Sequence, residues 1–84
     1  NEVVIHLAAR VNCWVMLTTA TGQQIYQGIV YAGTSMHWIE RQAVSLMVGN
    51  PGGVSLTVNG RNAVPAGQRN PLTLSLGPGQ KTFG

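Results

Sequence analysis

The chain has 84 residues, room for one small domain with a modest core; 44% are hydrophobic and only 8% are charged. That hydrophobic fraction excludes a disordered segment, and a charged fraction far below the usual ~25% leaves Asn, Gln, Ser and Thr to supply the polar surface. The net charge of +3 comes from Arg10, Arg41, Arg61, Arg69 and Lys81 against Glu2 and Glu40. Dispersed in this way, the cations form no stripe able to neutralise several phosphates, so no nucleic-acid partner is expected.

Taken in chain order, apolar and polar residues alternate with a period of two, the signature of half-buried strands. Val3, Ile5, Leu7 and Ala9 alternate with Val4, His6, Ala8 and Arg10, which predicts a first strand over residues 3–11. Cys13 to Thr19 reads as a second strand, closed by Thr21-Gly22, and residues 24–31 as a third, closed by Ala32-Gly33. A fourth covers Ser35 to Glu40 and a fifth Val44 to Val48, with room for one helical turn around Arg41 and Gln42 between them. Gly49-Asn50-Pro51-Gly52-Gly53 is a turn, after which Val54 to Val58 alternates again. Asn59-Gly60 then supplies the two positive φ angles of a type I′ hairpin turn. Its partner strand, residues 61–64, stops at Pro65; a loop over 66–71 leads to Leu72, Leu74 and Leu76, and Gly77-Pro78-Gly79 precedes a short terminal segment at Lys81-Thr82-Phe83. About seven short strands at ten-residue spacing, broken by glycine and proline, predict an all-β fold: one small antiparallel β-sandwich, immunoglobulin-like or barrel-like, over residues 1–84.

Catalytic chemistry finds little to work with. Glu2 and Glu40 are the only acids, which rules against a paired-carboxylate site. Cys13 is the only cysteine, so no intrachain disulfide can form, and in an apolar alternating strand it reads as a small buried hydrophobe rather than a nucleophile paired with His6 or His37. Those histidines, Cys13 and Glu40 have none of the spacings of a zinc site, and His6 falls on the outward parity of its strand. The glycine-rich turn at 49–53 is followed by a strand instead of a helix, so it is no phosphate loop. The expectation is a non-enzymatic chain with no cofactor and no metal.

Aromatic residues are the stronger lead. If Cys13, Val15 and Leu17 face the core, Trp14 and Met16 face outward, and such side chains are enriched at interfaces. Tyr26 and Tyr31 have opposite parities, so one of them lines the face of Trp14. Trp14, Met16, Tyr26, Tyr31 and Trp38 are thus the candidate interaction patch, for a protein or, in the alternative, for a glycan such as peptidoglycan.

Cys13-Trp14-Val15, Thr21-Gly22 and Ile25 to Gly33, with the later run from Val48 through Gly49-Asn50-Pro51-Gly52-Gly53 and Val54 to Asn59-Gly60, resemble the C-terminal extracytoplasmic domain of RodZ-type bacterial proteins. The ending Leu76-Gly77-Pro78-Gly79-Gln80 with Thr82-Phe83-Gly84 is similar too. The resemblance implies a small β-sandwich held outside the cytoplasmic membrane, in the periplasm or cell-wall space, by a transmembrane helix elsewhere in the parent protein. It also implies a role in cell-shape maintenance, with contacts to envelope proteins of the peptidoglycan-elongation machinery and no catalysis. Thr19-Ala20-Thr21-Gly22, Ser45 and Met47 stand where members of that family usually carry charged side chains.

Overall fold

The computed structural model describes residues 2–64 and 70–80. Among the described residues eight strands run β1 (Val3–Ala9), β2 (Cys13–Thr19), β3 (Gln24–Val30), β4 (Ser35–Glu40), β5 (Val44–Val48), β6 (Val54–Val58), β7 (Arg61–Asn62) and β8 (Leu72–Leu76), with one 3-10 turn over Pro51–Gly53. They form two antiparallel four-stranded sheets, ordered β4-β1-β6-β7 and β3-β2-β5-β8. The fold is therefore all-β as expected, and of the two shapes left open by the sequence it is the open sandwich. No ladder joins one sheet to the other among the described residues.

The alternation explains the layering. In β1, β2, β5, β6 and β8 every second residue is buried, and the buried set faces the opposite sheet. Across the first sheet Leu7 lies opposite Leu56 and Ile5 opposite Val58; across the second, Leu17 lies opposite Leu46, which lies opposite Leu74. These side chains join Val3, Val15, Val44, Val48, Val54, Leu72 and Leu76 in one continuous apolar core. Several of them, Leu17 among them, are wholly excluded from solvent.

Turn chemistry fixes the register. Asn59 and Gly60 both take positive φ, 53° and 80°, the type I′ geometry expected of an Asn-Gly pair. Asn59 does more than turn the chain. Its Oδ1 accepts the Val4 amide at 2.9 Å and its Nδ2 donates to the Gln80 carbonyl at 2.7 Å, which ties the two ends of the described chain to the β6–β7 hairpin. The Gly79 amide reaches the Glu2 carbonyl beside it, at 2.9 Å. At the β2–β3 turn the buried Thr19 hydroxyl accepts the Gln23 amide at 3.0 Å and meets the Thr21 hydroxyl at 2.9 Å. Gly22, with φ at 93°, turns the chain there.

Several boundaries differ from the sequence reading, each for a local reason. β1 ends at Ala9 instead of residue 11, because Arg10 leaves the ladder to clasp the 50s turn. Its amide bonds the Gly53 carbonyl at 2.8 Å, and its guanidinium reaches Ser55 Oγ at 2.7 Å and the carbonyl of Gly52 at 3.0 Å. β7 has two residues instead of four, since the Asn62 side chain bonds both the amide and the carbonyl of Val64 and folds the chain away. Arg41 and Gln42 form a bend, and the helical turn falls at Pro51–Gly53, where proline presets φ at the first helical position. The loop over 66–71 lies largely, and the terminal segment at 81–83 wholly, outside the described residues.

Candidate interaction surface

The five aromatic and methionine residues singled out in the sequence divide between two places. Trp14 and Met16 point outward from β2, half-buried, one rung apart on the outer face of the β3-β2-β5-β8 sheet. Tyr26 points the other way. It lies opposite Leu17 on the inner face and packs against the core, 5.4 Å between ring centroids from Trp38, which enters from β4 opposite Ile5. The two rings close the gap between the edge strands β3 and β4. Gly28, two residues along from Tyr26, leaves room for this arrangement: a Cβ there would stand 3.3 Å from the Tyr26 hydroxyl. Tyr31 lies just past β3, on the outward parity of Ile29, and is 61% exposed. Of the two tyrosines it is therefore Tyr31 that shares the outward parity of Trp14's neighbour.

Register adds two residues that spacing alone could not identify. Trp14 lies opposite Ile29 on β3, and Met16 lies opposite Met47 on β5. Ile29 is 47% exposed and Met47 half-buried. On the other side of Trp14 stands Gly49, whose amide donates to the Trp14 carbonyl at 2.7 Å and whose missing side chain lets β5 pass close to Trp14. The outer positions of this sheet are Trp14, Met16, Thr18, Gln24, Gln27, Ile29, Ser45, Met47, Thr73 and Ser75, none of which ionises. Val11, in the β1–β2 turn, is a further exposed aliphatic residue. Among the described residues the result is a sheet face without charge and with an apolar centre, on a protein of +3 net charge.

The remaining candidates are structural. Cys13 is 2% exposed, and its sulfur accepts the Asn50 amide at 3.4 Å beneath the 50s turn. Thiolate chemistry needs a partly exposed, electropositive setting, which this is not. A disulfide-exchange reagent is accordingly expected to label Cys13 only as fast as the chain opens, and fully in denaturant; labelling of the folded chain at the rate of a free thiol would contradict this burial. A cleft of about 450 Å³ at the ends of β2, β5 and β8, lined by Thr19, Ala43, Ser45, Ser75 and their neighbours, offers no ionisable group. No three His, Cys, Asp or Glu side chains converge among the described residues.

Against known proteins, residues 6–79 match the family model described as the RodZ C-terminal domain. The match takes in β2 to β8 entire and the second half of β1. No curated protein and no solved structure matches the chain significantly. A family match over this much of the length, on a two-sheet fold whose core and turns carry the matched residues, decides the assignment. The chain belongs to the RodZ C-terminal domain family, the β-rich, non-catalytic domain of RodZ-like cell-shape proteins.

Proposed function

We propose that this chain is a non-catalytic interaction module, displayed on the outer side of the bacterial cytoplasmic membrane by an anchor elsewhere in its parent protein. Its partner is an envelope protein of the cell-wall elongation machinery, and contact is made through the face built on Trp14, Met16, Ile29 and Met47. One observation carries the reading: a cluster of aromatic, methionine and aliphatic side chains sits on a sheet face where no described outward strand position carries a charge. Interface cores are depleted in charge and enriched in such side chains, and truncating one of the few central hot-spot residues costs about 2 kcal/mol or more. Family membership supports the cell-shape role. A glycan partner is less well supported, because Tyr26 and Trp38 are committed to the inner face and leave Trp14 and Tyr31 as the outward rings.

The test uses the full-length parent protein in cells lacking their own copy. Trp14→Ser combined with Ile29→Ser removes the outward anchors and should weaken partner binding by about thirtyfold or more. Cells should lose their normal width while the domain's melting temperature falls by only a few degrees. Normal shape and unchanged cross-linking to envelope proteins would overturn the proposed surface. Amide-shift titration with muropeptides tests the glycan reading, which fails if saturating ligand perturbs nothing around Trp14.

A further inference from the structure

The other outer face holds a second arrangement, independent of the apolar one. His6 in the middle of β1 and His37 in the edge strand β4 are direct partners across an antiparallel pair. Both side chains are exposed, and their rings stand 6.3 Å apart, centroid to centroid, with planes at 66°. Neutral residues surround them. Val4 and Ile39 form the rung on one side, Ala8 and Ser35 the rung on the other, and Thr57 of β6 flanks His6. The nearest cations along the chain, Arg10 just past β1 and Arg41 just past β4, are four residues from the histidines, about 13 Å if the chain were extended. Arg10 is held by Ser55 Oγ and the carbonyls of Gly52 and Val54, and Arg41 pairs with Glu2 at 3.6 Å.

We propose that His6 and His37 form a bidentate imidazole site for a divalent transition-metal ion, with Cu²⁺ the preferred occupant. Two imidazoles sharing one ion hold it through metal–nitrogen bonds of ~2 Å, which sets their coordinating nitrogens roughly 3 Å apart. Directly opposed residues on antiparallel strands have Cβ atoms about 5 Å apart, so side-chain rotation alone brings two rings to that separation. The donors select the metal. Imidazole suits Cu²⁺, Ni²⁺ and Zn²⁺, and affinity rises toward Cu²⁺ along the divalent series. Neither thiolate nor carboxylate is available to complete a closed tetrahedral zinc site: Cys13 is buried in the opposite sheet, and Glu40 lies on the other parity of β4, opposite Val3. Water or an external donor fills the remaining positions. A bound ion would clip the edge strand β4 to the central strand β1, so binding and sheet stability are linked.

Titration of the 84-residue chain with CuCl₂, and separately with ZnCl₂, tests the site. One Cu²⁺ should bind per chain, with nitrogen hyperfine structure from two imidazoles in its electron paramagnetic resonance spectrum, and the melting temperature should rise by several degrees in excess metal. His6→Ala and His37→Ala should each weaken Cu²⁺ binding by about tenfold or more, since either loss abolishes the chelate. Should an alanine variant fail to fold, His6→Thr and His37→Thr keep strand propensity and make the same comparison. Zn²⁺ should bind more weakly than Cu²⁺ at the same two residues. The proposal fails if the double variant binds Cu²⁺ as well as the unaltered chain does, which would place the ion at the N-terminal amine or elsewhere. It fails equally if each single variant retains half the ions at unchanged affinity, or if no Cu²⁺ binds at millimolar concentration.

Discussion

Leu17→Ala is expected to destabilise the protein by about 2–5 kcal/mol, a large part of the ~5–10 kcal/mol that a domain of this size holds. Leu17 has no solvent exposure and sits between Tyr26 and Leu46 in the middle rung of its sheet. The sheet backbone is pinned by ladders on both sides, so the cavity cannot collapse freely and its cost adds to the lost transfer free energy. Urea denaturation should show a lower midpoint with an unchanged slope. The control is the adjacent residue. Met16 belongs to the opposite, half-exposed face, and Met16→Ala should cost under about 1 kcal/mol. Equal losses from the two substitutions would contradict the two-faced strand.

Asn59→Ala ranks second, with an expected loss of about 2–4 kcal/mol. Two effects add. At a φ of 53°, alanine suffers a backbone penalty of roughly 1–2 kcal/mol that asparagine largely escapes. The substitution also removes the bonds to the Val4 amide and the Gln80 carbonyl, each worth about 1 kcal/mol. Asn59→Gly separates the two, because glycine adopts the turn freely but makes neither bond. Its loss should be roughly half that of alanine, measured by thermal melting, and the Val4 amide should exchange with solvent faster in both variants. A glycine variant as stable as the unaltered chain would show that the side-chain bonds contribute nothing.

These two cases also mark where sequence reasoning works here. The burial of Leu17 and the backbone of the Asn59-Gly60 turn are local facts: strict alternation predicts the first, and the φ demands of a two-residue hairpin predict the second. What Asn59 bonds to is not local, since Val4 is 55 residues away. The same limit divides the candidate patch. Trp14 and Met16 could be paired from β2 alone. Ile29 and Met47 join them only through the registers of β2 with β3 and β5, and a bulge at Leu17 and Thr18 shifts the first of these. The sequence groups Tyr26 and Trp38 with the surface aromatics because β3 and β4 alternate weakly; as edge strands they leave half of each inner face partly exposed. The pairing of His6 with His37 is likewise not local, since it depends on β1 meeting β4 across two intervening strands.

The sheet orders carry a consequence for how the molecule assembles. Reading along the chain, β1 goes to one sheet, β2 and β3 to the other, β4 back to the first, β5 to the second, β6 and β7 to the first and β8 to the second. Neither sheet can be completed while the other is missing. β1 shares no ladder with β2 or β3; it waits for β4 on one side and for β6, nearly fifty residues later, on the other. Of these eight strands the first in chain order is thus among the last to be enclosed, and its apolar residues Val3, Ile5 and Leu7 stay uncovered in the meantime. Such distant pairings make folding slow and leave partly made chains prone to wrong association. A truncation anywhere before Val54 would strand β1 without its β6 partner and produce an aggregating fragment instead of a smaller version of the same sandwich.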